Sequence, residues 1–232
     1  MTIEHASITG SNVHEPKGAD TATAGTVYVS DGAGSGSWIK PEPKGVDASV
    51  INKVYVSDGA GSGEWKSVYT HGFEDYNDSG SSQALTSGVY VDLTNNGSGI
   101  YTNKDYKLPD GRGDIWDTSN NEFDWSGAGL QLGDTVDIRF DVTVTSNGAN
   151  DAFTLSLDMA HGDAGEYKLE VFDQLLKVSG THNITNWYSV YMGDTATLNN
   201  PAKVSMHSDS TGDTVVVNGW YVRTNPRNPV YV

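Results

Sequence analysis

The 232-residue sequence contains no cysteine, so a disulfide framework and a thiolate-held metal are both excluded. The zero suits a chain that folds in a reducing cytoplasm. Basic residues are scarce as well: 14 Lys and Arg face 30 Asp and Glu, a formal net charge of −16. A surface so acidic repels a phosphate backbone, and nucleic acid is not an expected partner. The acidic residues are scattered among strands and turns instead of gathered in a tail, which is the distribution of a solvated β-protein surface. No apolar run approaches the length that crosses a bilayer, and residues 1–7 have neither the basic nor the apolar region of a secretory signal. Neither a membrane nor an export signal is therefore expected. Helical periodicity is also missing. With 27 Gly against 7 Pro, the chain reads as strands joined by tight turns.

What is present begins with a duplication. Val27-Tyr28-Val29-Ser30-Asp31-Gly32-Ala33-Gly34-Ser35-Gly36 recurs letter for letter at residues 54–63, and each copy ends on a tryptophan, Trp38 and Trp65. Each is preceded by Glu-Pro-Lys-Gly, so that Pro16 and Lys17 correspond to Pro43 and Lys44 at an offset of 27 residues throughout. An offset kept without insertion marks a repeated structural unit. Within it a Pro-Gly turn, a β-branched and aromatic run, a tight Asp-Gly turn and one aromatic anchor spell a small β-hairpin. Two such hairpins bury no core of their own and need something to lean on. Residues 1–68 are thus read as an arm, and 69–232 as a body of about 160 residues, large enough for a good core.

In the body, residues 88–94 read as the first alternating strand. Residues 95–133 form a long irregular stretch with frequent turn signals, and loops of that length commonly carry or cover a site. Val136, Ile138, Phe140, Val142 and Val144 then alternate with Asp137, Arg139, Asp141 and Thr143, a half-buried strand. Asn147-Gly148 predicts a hairpin turn into a return strand over 153–159. Residues 167–171, 184–192 and 203–207 add further strands. The last run, 215–222, is apolar on both faces, so one face is expected in the core and the other against protein, placing Val215, Val217, Trp220 and Tyr221 at a homotrimer interface. Seven or eight strands without a helix predict an all-β chain, an arm of two hairpins followed by a jelly-roll β-sandwich.

Few residues fall into patterns that carry chemistry. The six histidines, His5, His14, His71, His161, His182 and His207, have no zinc-ligand spacing and no adjacent nucleophile motif. Asp110, Asp114 and Asp117 sit in a glycine-rich loop but lack the glutamate-terminated calcium loop, and Arg112-Gly113-Asp114 reads as a turn. Carboxylate pairs for glycoside hydrolysis are not distinguishable from a solvated acidic face by spacing. Among the aromatics, Trp187 and Trp220 lie in strands and are assigned to core or interface, whereas Trp116 and Trp125 in the long loop are candidates for stacking on a sugar.

The string His14-Glu15-Pro16-Lys17-Gly18, followed by Thr26-Val27-Tyr28-Val29-Ser30-Asp31-Gly32-Ala33-Gly34-Ser35-Gly36 and Trp38, resembles a short N-terminal module of bacteriophage head-fibre and capsid-decoration (cement) proteins, found also on some tail fibres. The body resembles the jelly-roll domains that follow that module in Gly180-Thr181-His182-Asn183, Tyr191-Met192-Gly193-Asp194 and residues 215–222. The resemblance implies a non-enzymatic, cofactor-free trimeric virion protein, made in the host cytoplasm and held on the capsid surface by its arm. At the matched positions it places contacts with the major capsid protein on Pro16, Lys17, Tyr28, Asp31, Gly32 and Trp38, and on their counterparts Pro43, Lys44, Tyr55, Asp58, Gly59 and Trp65. Pro41 stands in the second copy where His14 stands in the first. One rival is a tail-fibre tip that recognises a host surface glycan through Trp116 and Trp125. Another is a polysaccharide-degrading enzyme, which requires a buried, pKa-shifted carboxylate pair in a groove.

Overall fold

A computed structural model describes residues 26–30, 36–39, 53–59 and 63–232. The chain divides into two units, Met1–Trp65 and Lys66–Val232. In the first, β1 (Val27–Ser30) and β2 (Gly36–Ile39) pair antiparallel with Val27 opposite Ile39 and Tyr28 opposite Trp38. Alternation puts the two rings on one face, where they meet edge to face at 5.5 Å and 64°. β3 (Lys53–Ser57) and the start of β4 (Gly63–Tyr69) repeat the arrangement, with Tyr55 and Trp65 at 5.5 Å and 68°. Gly59 has φ +76°, a conformation that favours glycine. Its amide donates to the Ser57 hydroxyl at 3.2 Å, which gives Ser57 and Gly59 a local role in the turn of the second copy.

The second unit begins with the rest of β4 and continues through β5 (Gly72–Asn77), β6 (Ser82–Ala84) and β7 (Val91–Asp92). A two-residue pair follows, β8 (Trp116–Asp117) with β9 (Glu122–Phe123), and then the long strands β10 (Thr135–Ser146), β11 (Asp151–Met159), β12 (Tyr167–Leu176) and β13 (Gly180–Tyr191). One short helix, α1 (Thr195–Asn199), is capped by the Asp194 carboxylate on the Thr197 amide. The chain ends with β14 (Lys203–Ser208), β15 (Thr214–Asn225) and β16 (Val230–Tyr231), which pairs with Val68 and Tyr69. The body therefore takes in Ser67, whose amide and carbonyl both bond Val232, and starts before the expected boundary at 69.

Two antiparallel sheets make a β-sandwich. One runs β13-β10-β15-β5, with β6 also on β15; the other runs β12-β11-β14-β7. The alternation over 136–144 does what its period demands: Val136, Ile138, Phe140, Val142 and Val144 are fully buried. They face Phe153, Leu155, Leu157, Met159, Val204 and Met206 of the other sheet, also fully buried. Each such side chain contributes about 1.5–3 kcal/mol on leaving water.

Three local expectations are corrected. Asn147-Gly148 is not a hairpin turn, because β10 pairs with β13 and β15 whereas β11 pairs with β12 and β14. The turn is a corner from one sheet to the other, held by the Asp213 carboxylate on the Asn147 amide at 2.9 Å and the Asp151 carboxylate on the Gly148 amide at 3.0 Å. Only Val91 and Asp92 of the predicted strand 88–94 join a ladder, with Met206 and Ser205. Conversely β5 was not predicted; its inward positions include Glu74, a charged residue that masks the alternation.

The apolar run 215–222 is not a two-sided strand. The register shifts so that Asp141 faces Gly219 and Val142 faces Val217, leaving Asn218 as the extra residue of a bulge. Val217 and Trp220, three positions apart, therefore share the inward face with Val215 and Val222, all at 0–1% exposure. Val215, Val217 and Trp220 lie inside one chain and form no subunit interface. A Cβ at Gly219 would stand 2.8 Å from the Tyr76 carbonyl, so only glycine lets β5 close on the bulge.

Residues 95–133 are part exposed, as at Ile100, Tyr101 and Tyr106, but carry their large aromatics inward from residue 115 on. Trp116, Phe123 and Trp125 are buried and pack with Phe140 and Trp220, with ring centroids 4.8 Å apart for Trp116–Phe123, 5.1 Å for Phe123–Trp125 and 5.3 Å for Phe140–Trp220. A buried polar network fixes this segment to β5. The Tyr76 hydroxyl donates to Glu74 and accepts from the Ile115 amide at 3.0 Å, and Asn95 donates to the Tyr76 carbonyl at 2.8 Å.

Burial holds the Glu74 carboxyl above the ordinary glutamate range, against the opposing hydrogen bonds from Tyr76 and Ile115. A folded-state pKa raised above the unfolded value stabilises below the unfolded pKa, and that contribution is lost as pH rises through the folded one. Glu74→Gln is therefore expected to gain thermal stability over the parent progressively from about pH 4 towards neutrality. Melting curves across that range check it, and a difference independent of pH would contradict it.

Candidate functional site

Two surfaces stand out. The first is the hairpin face opposite the Tyr–Trp pairs. Val27 and Ile39, cross-strand partners, are each 45% exposed, Val29 is 44% and, in the second copy, Val54 is 41%. Each is apolar surface that neither ring pair covers. Of the residues assigned to attachment, Tyr28, Trp38, Tyr55, Asp58, Gly59 and Trp65 are described here. Pro16, Lys17, Asp31, Gly32, Pro43 and Lys44 lie outside the described residues.

The second surface is the outward face of the β13-β10-β15-β5 sheet. Register lines up one row across all four strands: Trp187, Arg139, Tyr221 and Asp75. The Arg139 guanidinium lies 5.9 Å from the Trp187 ring and 5.4 Å from that of Tyr221. Its Nε donates to Asp141 at 2.7 Å. The Trp187 and Tyr221 rings meet edge to face at 5.7 Å, and Tyr221 stacks on Phe73 at 6.1 Å. Beside this row opens a groove of about 610 Å³ lined by Asp75, Asn77, Tyr101, Arg139, Asp141, Thr143, Asn183, Ile184, Thr185 and Asn218. Thr185 donates to Asp141 at 2.7 Å, Thr143 donates to the Asn183 side-chain oxygen at 2.8 Å, and Asn77 donates to Asp75 at 2.7 Å. Burial raises the Asp75 carboxyl above the ordinary aspartate range, and Asp141 pushes the same way against Arg139 and Asn77.

Two sets of predicted site residues are corrected. Trp116 and Trp125, the candidates for a sugar, are 1% and 0% exposed. The Trp116 indole donates inward to the Asn95 carbonyl at 2.8 Å, so neither ring meets a ligand. Trp187, assigned to core or interface, is 53% exposed in the single chain, which removes the core half of that assignment and is compatible with the interface half. Of the four interface candidates only Tyr221 reaches the outer face. A signal for the groove was present: Asn183, Thr185 and Trp187 occupy alternate positions of β13, and Arg139 and Asp141 alternate positions of β10, so each set shares one face.

The remaining candidates are each accounted for by local contacts. Asp110 pairs with Arg112, Asp114 with Lys104 and Lys107, and Asp117 caps the Ser119 amide, so the three carboxylates of the 110–117 loop do not converge. Arg112 is only 10% exposed in its side chain and is held between Asp110 and Asp134; the turn expected at Arg112-Gly113-Asp114 lies just before it, at 109–111, and the three residues themselves are irregular. Among the described residues no cluster of three or more His, Cys, Asp or Glu forms a metal site, and no helix is long and apolar enough to cross a membrane.

No protein-family model matches the sequence, nor does any curated protein. Among solved structures the chain is similar to one from infectious bursal disease virus, Gt strain, at 7% identity and TM-score 0.39, covering 74% of this chain and 37% of that one. It thus spans little over a third of that viral chain. It is also similar to the CBM22-1 xylan-binding domain from Paenibacillus barcinonensis Xyn10C (10% identity, TM-score 0.35, covering 67% and 94%) and to Eiger TNF from S. frugiperda (7%, TM-score 0.38, covering 69% and 94%). At these scores none of the three identifies a ligand, an activity or an assembly for this chain.

Proposed function

We infer that the chain is a non-enzymatic structural protein of a bacteriophage particle, a capsid-decoration protein of the cement or head-fibre kind. Its N-terminal repeats attach it to the major capsid protein, and its body stands on the outside as a homotrimer. The observation that carries this reading is the duplicated unit. One ten-residue string recurs with its tryptophan and with the same Tyr–Trp geometry, 5.5 Å in both copies. Rings clasped on one face and half-exposed valines on the other make a small element with apolar surface to bury. A short strand, a glycine-rich turn that admits a second backbone, and an aromatic anchor are what β-augmentation and hot-spot binding use.

The body is a jelly roll in this reading. Of the nine strands in its two sheets, β11 and β12 form a hairpin, β5 and β6 lie in the same sheet on β15, and every other consecutive link changes sheet. Trimer contacts are drawn from surfaces other than Val215, Val217 and Trp220.

Changing Trp38→Ala together with Trp65→Ala is the direct test. Truncating an anchoring aromatic at an interface costs about 2–4 kcal/mol, so the double variant should fall off purified particles at concentrations where the parent saturates them. Its body should melt at the parental temperature. Full occupancy by the double variant would refute the assignment of the repeats.

A further inference from the structure

We propose that the groove on the outer face of the β13-β10-β15-β5 sheet binds a neutral oligosaccharide, with Trp187 as the stacking platform and Asp75, Asn77, Arg139, Asp141 and Asn183 as hydrogen-bonding partners.

One aromatic stands in the wrong place for a core. Trp187 stands in the middle of a twelve-residue strand, flanked on its own face by Thr185 and Ser189, and is 53% exposed. Its ring nonetheless packs nearly perpendicular to that of Tyr221, centroids 5.7 Å apart, with the Arg139 guanidinium 5.9 Å from its centroid. A tryptophan packed on two neighbours and still exposed offers apolar area at little entropic cost. Thr185, at the groove wall, is two residues away, about 7 Å along the strand. Tyr101 lines the groove and is 73% exposed, so a second aromatic borders the same space. At about 610 Å³ the groove is within the ~300–1,000 Å³ usual for ligand clefts.

The lining selects the chemistry. A pyranose presents an apolar face of C–H groups and an equator of vicinal hydroxyls, each donor and acceptor. Planar carboxylates, carboxamides and a guanidinium are the side chains that meet adjacent hydroxyls in pairs. Each is pre-set: Asp141 holds Arg139, Thr143 holds Asn183 through its oxygen and leaves the amide nitrogen for a ligand, and Asn77 holds Asp75. Charge decides between saccharide classes. One arginine stands between two aspartates in a chain of net charge −16, so sulfated or uronic saccharides are repelled. Charge also argues against a second copy of the chain as occupant, because the centres of protein interfaces are depleted of aspartate.

The site lies in the Lys66–Val232 unit, so its test is separate from that of capsid attachment. The full-length protein is titrated calorimetrically with tetra- to hexasaccharides of β-1,4-glucan, β-1,4-xylan, α-mannan and galactan, alongside sulfated and polyuronic counterparts. The expected result is binding of at least one neutral series and of none of the anionic ones. Trp187→Ala should weaken it by about tenfold or more, Asn183→Ala by several-fold, and Trp187→Phe much less than Trp187→Ala, with parental melting temperatures for all three. The proposal is overturned if no neutral series binds at millimolar concentration. Retained affinity in both alanine variants, or preference for an anionic series, overturns it equally.

Discussion

Replacing Trp116 by alanine is expected to destabilise the body by about 3–5 kcal/mol, the usual cost of removing a fully buried large aromatic. The ring is 1% exposed and packs against Phe123 at 4.8 Å and Trp220 at 5.9 Å. Its removal leaves a cavity at the centre of the aromatic cluster. The indole N–H also satisfies the Asn95 carbonyl, which loses its buried partner. Asn95 in turn holds the Tyr76 carbonyl, so the loss spreads to β5. Against a total stability of about 5–15 kcal/mol, such a variant should unfold at a much lower urea concentration, with an unchanged slope. A shift below about 1 kcal/mol would place Trp116 outside the core and return the 95–133 segment to the role of an exposed loop.

The legibility of this chain in its sequence follows the physics of each signal. Strict alternation over 136–144 was readable because one face meets the core and the other meets water, and nothing interrupts the period. Where a bulge intervenes the same rule fails. Counting by twos from Val215 selects Val217, Gly219 and Tyr221, whereas Asn218 steps out of register and brings Trp220 inward instead. That one residue turned an ordinary core strand into an apparent two-sided one. A corner between sheets and a hairpin turn use the same residues, so Asn147-Gly148 could not tell them apart locally. Partner strands are set by contacts far along the chain, here Asp213 on the Asn147 amide.

The tryptophans teach a related lesson. Those in the long loop are buried because, with Phe123, they pack on Trp220 and Phe140, and the one in β13 is exposed because it stands on the odd, outward positions with Asn183 and Thr185. Placement in a loop or a strand predicts burial less well than position within the strand's alternation. The groove was legible only in part. Its polar residues were visible as the solvent face of β10, but their meeting with β5 and β13 depends on sheet order, which no local pattern encodes.

Deleting residues 1–65 is expected to leave a folded body that no longer decorates particles. The cut falls after Trp65 because Ser67, Val68 and Tyr69 are bonded to Val230, Tyr231 and Val232; removing them as well would strip β16 of its partner. No described residue before Lys66 belongs to the buried core cluster of the body, so the melting temperature should stay close to the parental value. Attachment should collapse much further than in the double tryptophan variant. In the proposed trimer, two units per arm and three arms would act as linked binding sites, and losing all of them would remove the gain in effective concentration as well as the contacts.

The decisive measurement is the number of copies of this truncated body retained on purified phage particles, compared with the full-length chain at the same saturating concentration. Attachment through the repeats predicts full occupancy for the intact protein and background for the truncated one. Equal occupancy would place the capsid contact in the β-sandwich body and contradict the account.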